Sequence, residues 1–142
     1  MIWTHPLVPA TAMVALTAVV WVRLFIERIA EMRARRIPAQ GLATSHQSDA
    51  LLRNTLAADN FKNLFEIPVL FYVLCVALAI TPTQTAFSGV GLWLFVVLRA
   101  AHSLIHCSYN NVMHRFTVYL LSTVLLFAMW VEFGLALATS AA

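Results

Sequence analysis

The sequence predicts an all-α integral membrane protein built as a bundle of four transmembrane helices, and three observations carry that expectation. Hydrophobic residues make up 61% of the 142-residue chain and charged residues only 11%, well short of the ~25% charged that soluble domains carry. The mean hydropathy is +0.82, and the apolar residues gather in four runs, each close to the ~20 residues that a helix needs to span hydrocarbon. Seven of the nine Lys and Arg lie between Arg23 and Lys62, between two apolar runs. Such clustering marks a connection kept on the cytoplasmic side and not a nucleic-acid surface, so no nucleic-acid partner is expected. Residues 1–142 show no internal repeat and no linker, and are expected to form one domain.

The first span is expected from about Val8 to Ile26, after Pro6 and Pro9. No basic residue and no small-residue cleavage site mark Met1 to Val22 as a signal peptide, so this run reads as a retained helix. Glu27 and Glu31 stand one turn from Arg23, Arg28 and Arg35, a spacing that continues the helix past the membrane until Pro38. Pro38 to Ser48 reads as a loop. The second helix is expected to begin near Asp49 with Ser48 or Asp49 as its cap, polar in its first half, apolar from Ile67 to Ile80, and kinked at Pro68. Thr81 to Ser88 is a short turn, the third span runs from about Val90 to Cys107, Ser108 to His114 link it onward, and the fourth runs from about Phe116 to Leu137. Neither chain end nor the 81–88 turn carries Lys or Arg, whereas the third connection has His114 and Arg115. Both termini are therefore expected outside, with the first and third connections in the cytoplasm. Cys75 and Cys107 lack C-x-x-C spacing and read as packing thiols.

Ionisable groups within spans cost at least a few kcal/mol each and normally face protein or a wet cavity. On the third helix Arg99, His102, Ser103 and His106 fall at i, i+3, i+4 and i+7, one face. Arg115, Tyr119 and Ser122 make a stripe on the fourth, and Asn60, Asn63 and Glu66 recur every three residues on the second. The set can hold a polar, anionic ligand between helices. The same groups can also satisfy one another as interhelical glue, and spacing alone leaves both readings open. His102 and His106 at i, i+4 have a metal-ligand spacing, but with no third ligand nearby no metal site is expected. Nor can two histidines one turn apart on one helix take opposite faces of a porphyrin.

Arg99, His102 and His106, followed by Asn110, Arg115 and Tyr119, give the chain a resemblance to the MAPEG family, the membrane-associated proteins in eicosanoid and glutathione metabolism. The resemblance covers nearly the whole chain in length, span order and charge asymmetry. Glutathione-using members carry on their third helix an Arg, a His three on and a Tyr seven on, then an Arg and a Tyr on the fourth. Arg99, His102, Arg115 and Tyr119 match, and His106 stands where the family has Tyr. The family's second helix carries an Asn, a Glu three on and then a Pro. Asn63, Glu66 and Pro68 fit that pattern. If Arg53 fixes the register instead, Asn60 is the family Asn, the contacting Arg four residues before it becomes Leu56, and the Glu becomes Asn63.

The resemblance implies a homotrimer of four-helix protomers with glutathione bound between neighbours. Arg115 would stabilise its thiolate, the nucleophile. Arg99 and Arg33 would pair with its carboxylates, and His102, His106, Asn60 and Tyr119 would supply hydrogen bonds. Arg53, Asn63 and Glu66 enter the set according to the register. The implied activity is a glutathione-dependent transferase or peroxidase taking lipophilic electrophiles from the bilayer. Leu56 and His106 point to the alternative, a non-catalytic membrane trimer binding a lipid or other amphiphile. A small transporter subunit is the third reading, since intramembrane Arg, His and Glu can mark a substrate path, though paired broken helices are lacking.

Overall fold

A computed structural model of the chain describes residues 5–140, with the side chains of Ser45 and Asp49 left aside. The elements are α1 (Leu7–Arg35), a 3₁₀ turn (Ala39–Leu42), α2 (Ser45–Leu51), α3 (Leu56–Asn63), α4 (Ile67–Ile80), α5 (Ala86–Cys107) and α6 (Val112–Ser140). No strand occurs among the described residues. Four stretches are long and apolar enough to cross a membrane: Leu7–Arg35, Leu56–Ile80, Ala86–Cys107 and Val112–Ser140.

At 29 residues, α1 is about 43 Å long, longer than the ~30 Å hydrocarbon core, so its basic last turns project beyond it. The helix stops where Arg36 takes the left-handed conformation at φ 54° and the Ile37 amide reaches back to the Met32 carbonyl at 3.0 Å, a Schellman-type closure.

The second crossing differs from its expected form. In place of one kinked helix starting near Asp49, three helical pieces follow one another, and part of the expected 38–48 loop is itself helical. The cap of α2 is Thr44, whose side chain accepts from the Gln47 amide while the Gln47 side chain accepts from the Thr44 amide. Ser48 lies inside α2 with its hydroxyl turned to the Leu42 carbonyl, and the Asp49 side chain lies outside the described residues. Between α2 and α3 the Glu31 carboxylate accepts from the Arg53 and Asn54 amides at 2.8 and 3.2 Å, replacing helical partners and breaking the ladder. Pro68 sits in the first turn of α4, where its missing N–H costs nothing. The chain bends just before it, at residues 64–66. With 14 residues, about 21 Å, α4 is too short to cross alone, and α3 completes the crossing.

The other spans are longer than expected. Helix α5 starts at Ala86 behind a Thr85/Ser88 capping box, and α6 extends the fourth run at both ends. The Thr85 hydroxyl also donates to Glu132 of α6.

The core lies between the spans: Met13 of α1, Phe71, Leu74 and Cys75 of α4, Phe95 of α5, and Leu126 and Met129 of α6 are all wholly buried. Phe71 and Phe95 stack with centroids 4.4 Å apart. The α5/α6 pair is the most extensive helix contact. It closes at Gly91, where an added Cβ would meet Met129 Sδ at 2.6 Å, the close approach that small residues permit in membrane bundles. Both cysteines are buried and free.

Candidate functional site

The site grows from α5. Its spacing of i, i+3, i+4, i+7 puts Arg99, His102, Ser103 and His106 on one face, and the structure buries all four at 0, 3, 4 and 3% exposure. They face α3 and the start of α6, at the end of the bundle where the basic residues lie. Two seams result.

The first seam joins α3 to α5 and is closed within the protomer. Asn60, wholly buried, donates from Nδ2 to Cys107 Sγ at 3.4 Å and accepts on Oδ1 from the Ser103 hydroxyl at 3.3 Å. Arg23 of α1 donates to the Cys107 carbonyl, covering an open carbonyl at the end of α5. Cys107 is thus the packing thiol expected, with Asn60 as its partner. Both polar ends of Asn60 are engaged, so in the protomer it ties helices together.

The second seam is open. Asn63, His102, Val112, Arg115, Phe116 and Tyr119 line a cleft of about 220 Å³ between α3, α5 and α6. Arg115 is half-buried in the first turns of α6, and its Nη1 donates to Asn110 Oδ1 at 2.7 Å. His102 Nδ1 lies 3.2 Å from the Arg115 carbonyl, and its ring centroid is 5.8 Å from that of Tyr119. Behind the cleft, Arg99 donates from Nη2 to the Asn63 carbonyl at 3.1 Å, and its Cζ stands 5.5 Å from the centre of the Tyr119 ring, within cation–π range. Its Nε and Nη1, together with His102 Nε2 and His106 Nδ1, have no hydrogen-bond partner among the described residues. The two Arg99 nitrogens are donors, while His102 Nε2 is left as an acceptor because Nδ1 donates to the Arg115 carbonyl; buried polar atoms without partners are uncommon, and a cluster of them invites a bound polar group. Ser122 is spent locally, its hydroxyl bonded to the Tyr119 carbonyl.

The every-third-residue series on the second crossing does not stay on one face. Asn60 is buried, Asn63 half-buried and Glu66 exposed, because α3 ends at Asn63 and Glu66 falls in the bend before α4. Of the residues expected at the site, the structure brings Asn63, Arg99, His102, Arg115 and Tyr119 together, with Asn60 and His106 in the adjoining seam and Glu66 exposed in the bend, outside the cleft's lining. Arg33 and Arg53 are elsewhere. Arg33 lines a groove on the outer face of α1, and Arg53 is exposed in the α2–α3 link, where its amide binds Glu31. Spacing alone did not single out Val112 and Phe116 as apolar walls, or Asn110 as the holder of Arg115. The signal for Asn110 was an Asn two residues before a helix start and five before a basic residue.

In chemical terms, the Arg115 guanidinium, a phenol, an imidazole and the positive end of the α6 dipole face one small opening with apolar sides, with the buried Arg99 guanidinium behind it. That arrangement stabilises an anion. Among the described residues no group of three His, Cys, Asp or Glu is placed to hold a metal ion. No curated protein and no solved structure was found to match the chain. The MAPEG family model matches residues 6–135.

Proposed function

The chain belongs to the MAPEG family, a multi-pass membrane protein of glutathione or eicosanoid metabolism in the general sense of that family, and from that premise we propose that it is a glutathione-dependent transferase or peroxidase acting on lipophilic electrophiles. The observation that carries the reading is Arg115, held by Asn110 at the mouth of the cleft. Glutathione brings two carboxylates, an ammonium and a thiol. The cleft offers Arg115 as a donor, with the unpartnered Arg99 Nε and Nη1 behind it, and His102 Nε2 as an acceptor, since His102 Nδ1 donates to the Arg115 carbonyl. The donor set fits.

The cleft's volume of about 220 Å³ is below the ~300–1,000 Å³ of pockets that enclose a ligand. One protomer would therefore hold only part of the tripeptide, which supports a site shared between neighbouring copies, as in the family's homotrimer. Of the two registers, the place of Asn63 in the cleft's lining, with both polar ends of Asn60 engaged elsewhere, favours Asn63 as the family Asn.

In this reading Arg115 and the α6 N-terminus lower the pKa of the bound thiol and hold it as thiolate. The thiol proton leaves to water. The sulfur forms a bond to the electrophilic carbon while the bond to the leaving group breaks and its electron pair departs. For a hydroperoxide, the thiolate instead attacks the distal oxygen and releases an alcohol, and a second thiol completes the disulfide with loss of water. Val112 and Phe116 would shield the sulfur and admit an apolar substrate from the bilayer. Both termini would lie outside, with the basic end of the bundle in the cytoplasm.

The non-catalytic reading has one observation in its favour: Asn60, Ser103 and Cys107 already satisfy each other, as structural glue does. Isothermal calorimetry on purified protein in detergent separates the two. Saturable glutathione binding, weakened at least tenfold in Arg115→Ala with oligomer size unchanged, is expected. Absence of saturable binding by the wild type would sink the enzymatic reading and leave the fold intact.

A further inference from the structure

Arg99 is the largest side chain among the described residues that the protomer buries completely. A guanidinium inside a membrane bundle calls for a counter-charge, yet Arg99 makes no ion pair with a described carboxylate. Two weaker partners take that place. Its Nη2 donates at 3.1 Å to the carbonyl of Asn63, the last residue of α3, so the cation faces the negative end of that helix, where carbonyls lack helical donors. Its Cζ stands 5.5 Å over the centre of the Tyr119 ring, whose electron-rich face attracts a cation.

One side chain of α5 thus joins the end of α3 to the first half of α6. Asn63 and Tyr119 both line the cleft, and Arg99 does not. Its free Nε and Nη1 are buried with the rest of it. A peptide seated against that lining meets Asn63 and Tyr119 and feels the guanidinium only as charge from behind.

We propose that Arg99 is a positioning residue: it ties Asn63 to Tyr119, sets the spacing of these two cleft walls, and acts on bound glutathione through them, in place of the direct carboxylate pairing that the family resemblance implies. The ligand in this inference rests on the glutathione reading. The tie itself does not.

Two measurements on the full chain in detergent test it. The first is hydrogen exchange at the Leu64, Phe65 and Glu66 amides, which return to α3 carbonyls at 3.1, 2.9 and 3.5 Å. Exchange should quicken about tenfold in Arg99→Gln, the loss of a bond to a charged group, and about fivefold in Tyr119→Leu, the loss of the ring face. Tyr119→Phe, which keeps the face, should match the wild type. The double variant Arg99→Gln/Tyr119→Leu should exchange no faster than Arg99→Gln alone, whereas two independent losses would multiply to about fiftyfold. If Arg99→Gln fails to fold, the contrast between Tyr119→Leu and Tyr119→Phe still decides. The second is calorimetry with glutathione and with its dimethyl ester, which lacks both carboxylates. Arg99→Gln should weaken the two by the same factor. Unchanged exchange in Arg99→Gln, equal exchange in the two Tyr119 variants, multiplied effects in the double variant, or a loss of affinity confined to glutathione would each overturn the proposal. A wild type that binds neither compound sinks the glutathione reading, and exchange alone then decides the tie.

Discussion

Asn110 has two roles at one position. Its backbone adopts φ 48° and its amide returns to the Ile105 carbonyl at 2.9 Å, closing α5. Its side-chain oxygen meanwhile takes Arg115 Nη1 at 2.7 Å. Two substitutions separate these roles. Asn110→Gly keeps a residue at ease in the left-handed region but deletes the oxygen. Asn110→Ala deletes the oxygen and adds ~1–2 kcal/mol of left-handed strain. Thermal unfolding in detergent should therefore rank the wild type and the Gly variant close together and the Ala variant lowest. If Arg115 holds the thiolate, thiol transfer should fall about tenfold in both variants, the loss of one hydrogen bond to a charged group. Full activity in the Gly variant would show that Arg115 needs no holder. The α5 face was legible residue by residue because helical spacing alone puts Arg99, His102, Ser103 and His106 together, and burial follows from their position between helices. Asn110 was not, because its partner depends on how the α5–α6 turn closes.

At the level of elements, the four crossings were legible from apolar runs, and the break in the second was not. One clue was present: Thr44 and Gln47 stand three apart, the pattern of a capping box, and mark the start of α2. The second break is set by a contact made far along the chain, since Glu31 on α1 takes the amides of Arg53 and Asn54 and Arg35 donates to the Leu51 carbonyl. Local sequence does not announce a partner more than twenty residues away. This clamp sets where α3 begins and hence where Asn63 meets the cleft. Glu31→Gln keeps the shape but loses the charge and one acceptor. Hydrogen exchange at the Arg53 and Asn54 amides is expected to quicken about tenfold, the ~1.5 kcal/mol of a charge-assisted bond, with α4 and α5 unchanged. Unaltered exchange at both amides would mean that packing of α3 on α1, not the carboxylate, fixes the link.

For the whole molecule, large apolar side chains are exposed on every crossing, among them Val19, Val76, Val97 and Val124. Such a surface is stable only in lipid or against other copies. The crossings are even in number, and the contacts sort into two ends. Arg23 with Cys107, Glu31 with the α2–α3 link, and His102 with Arg115 gather at the basic end, whereas Thr85 with Glu132 marks the other. These contacts gather the first and third connections at one end of the bundle, and the asymmetry of Lys and Arg leads us to expect that end in the cytoplasm. Cys75 and Cys107 are buried, so single cysteines introduced at exposed Gln40, Ala86 and Tyr109 report sidedness cleanly. A membrane-impermeant maleimide added to intact cells should label Ala86→Cys, and should label Gln40→Cys and Tyr109→Cys only after permeabilisation. If all three reverse, the bundle stands and the charge rule has misread its direction. If Gln40→Cys and Tyr109→Cys label from opposite sides, an odd number of crossings separates them, and neither the bundle nor the cleft between α3, α5 and α6 can be as described.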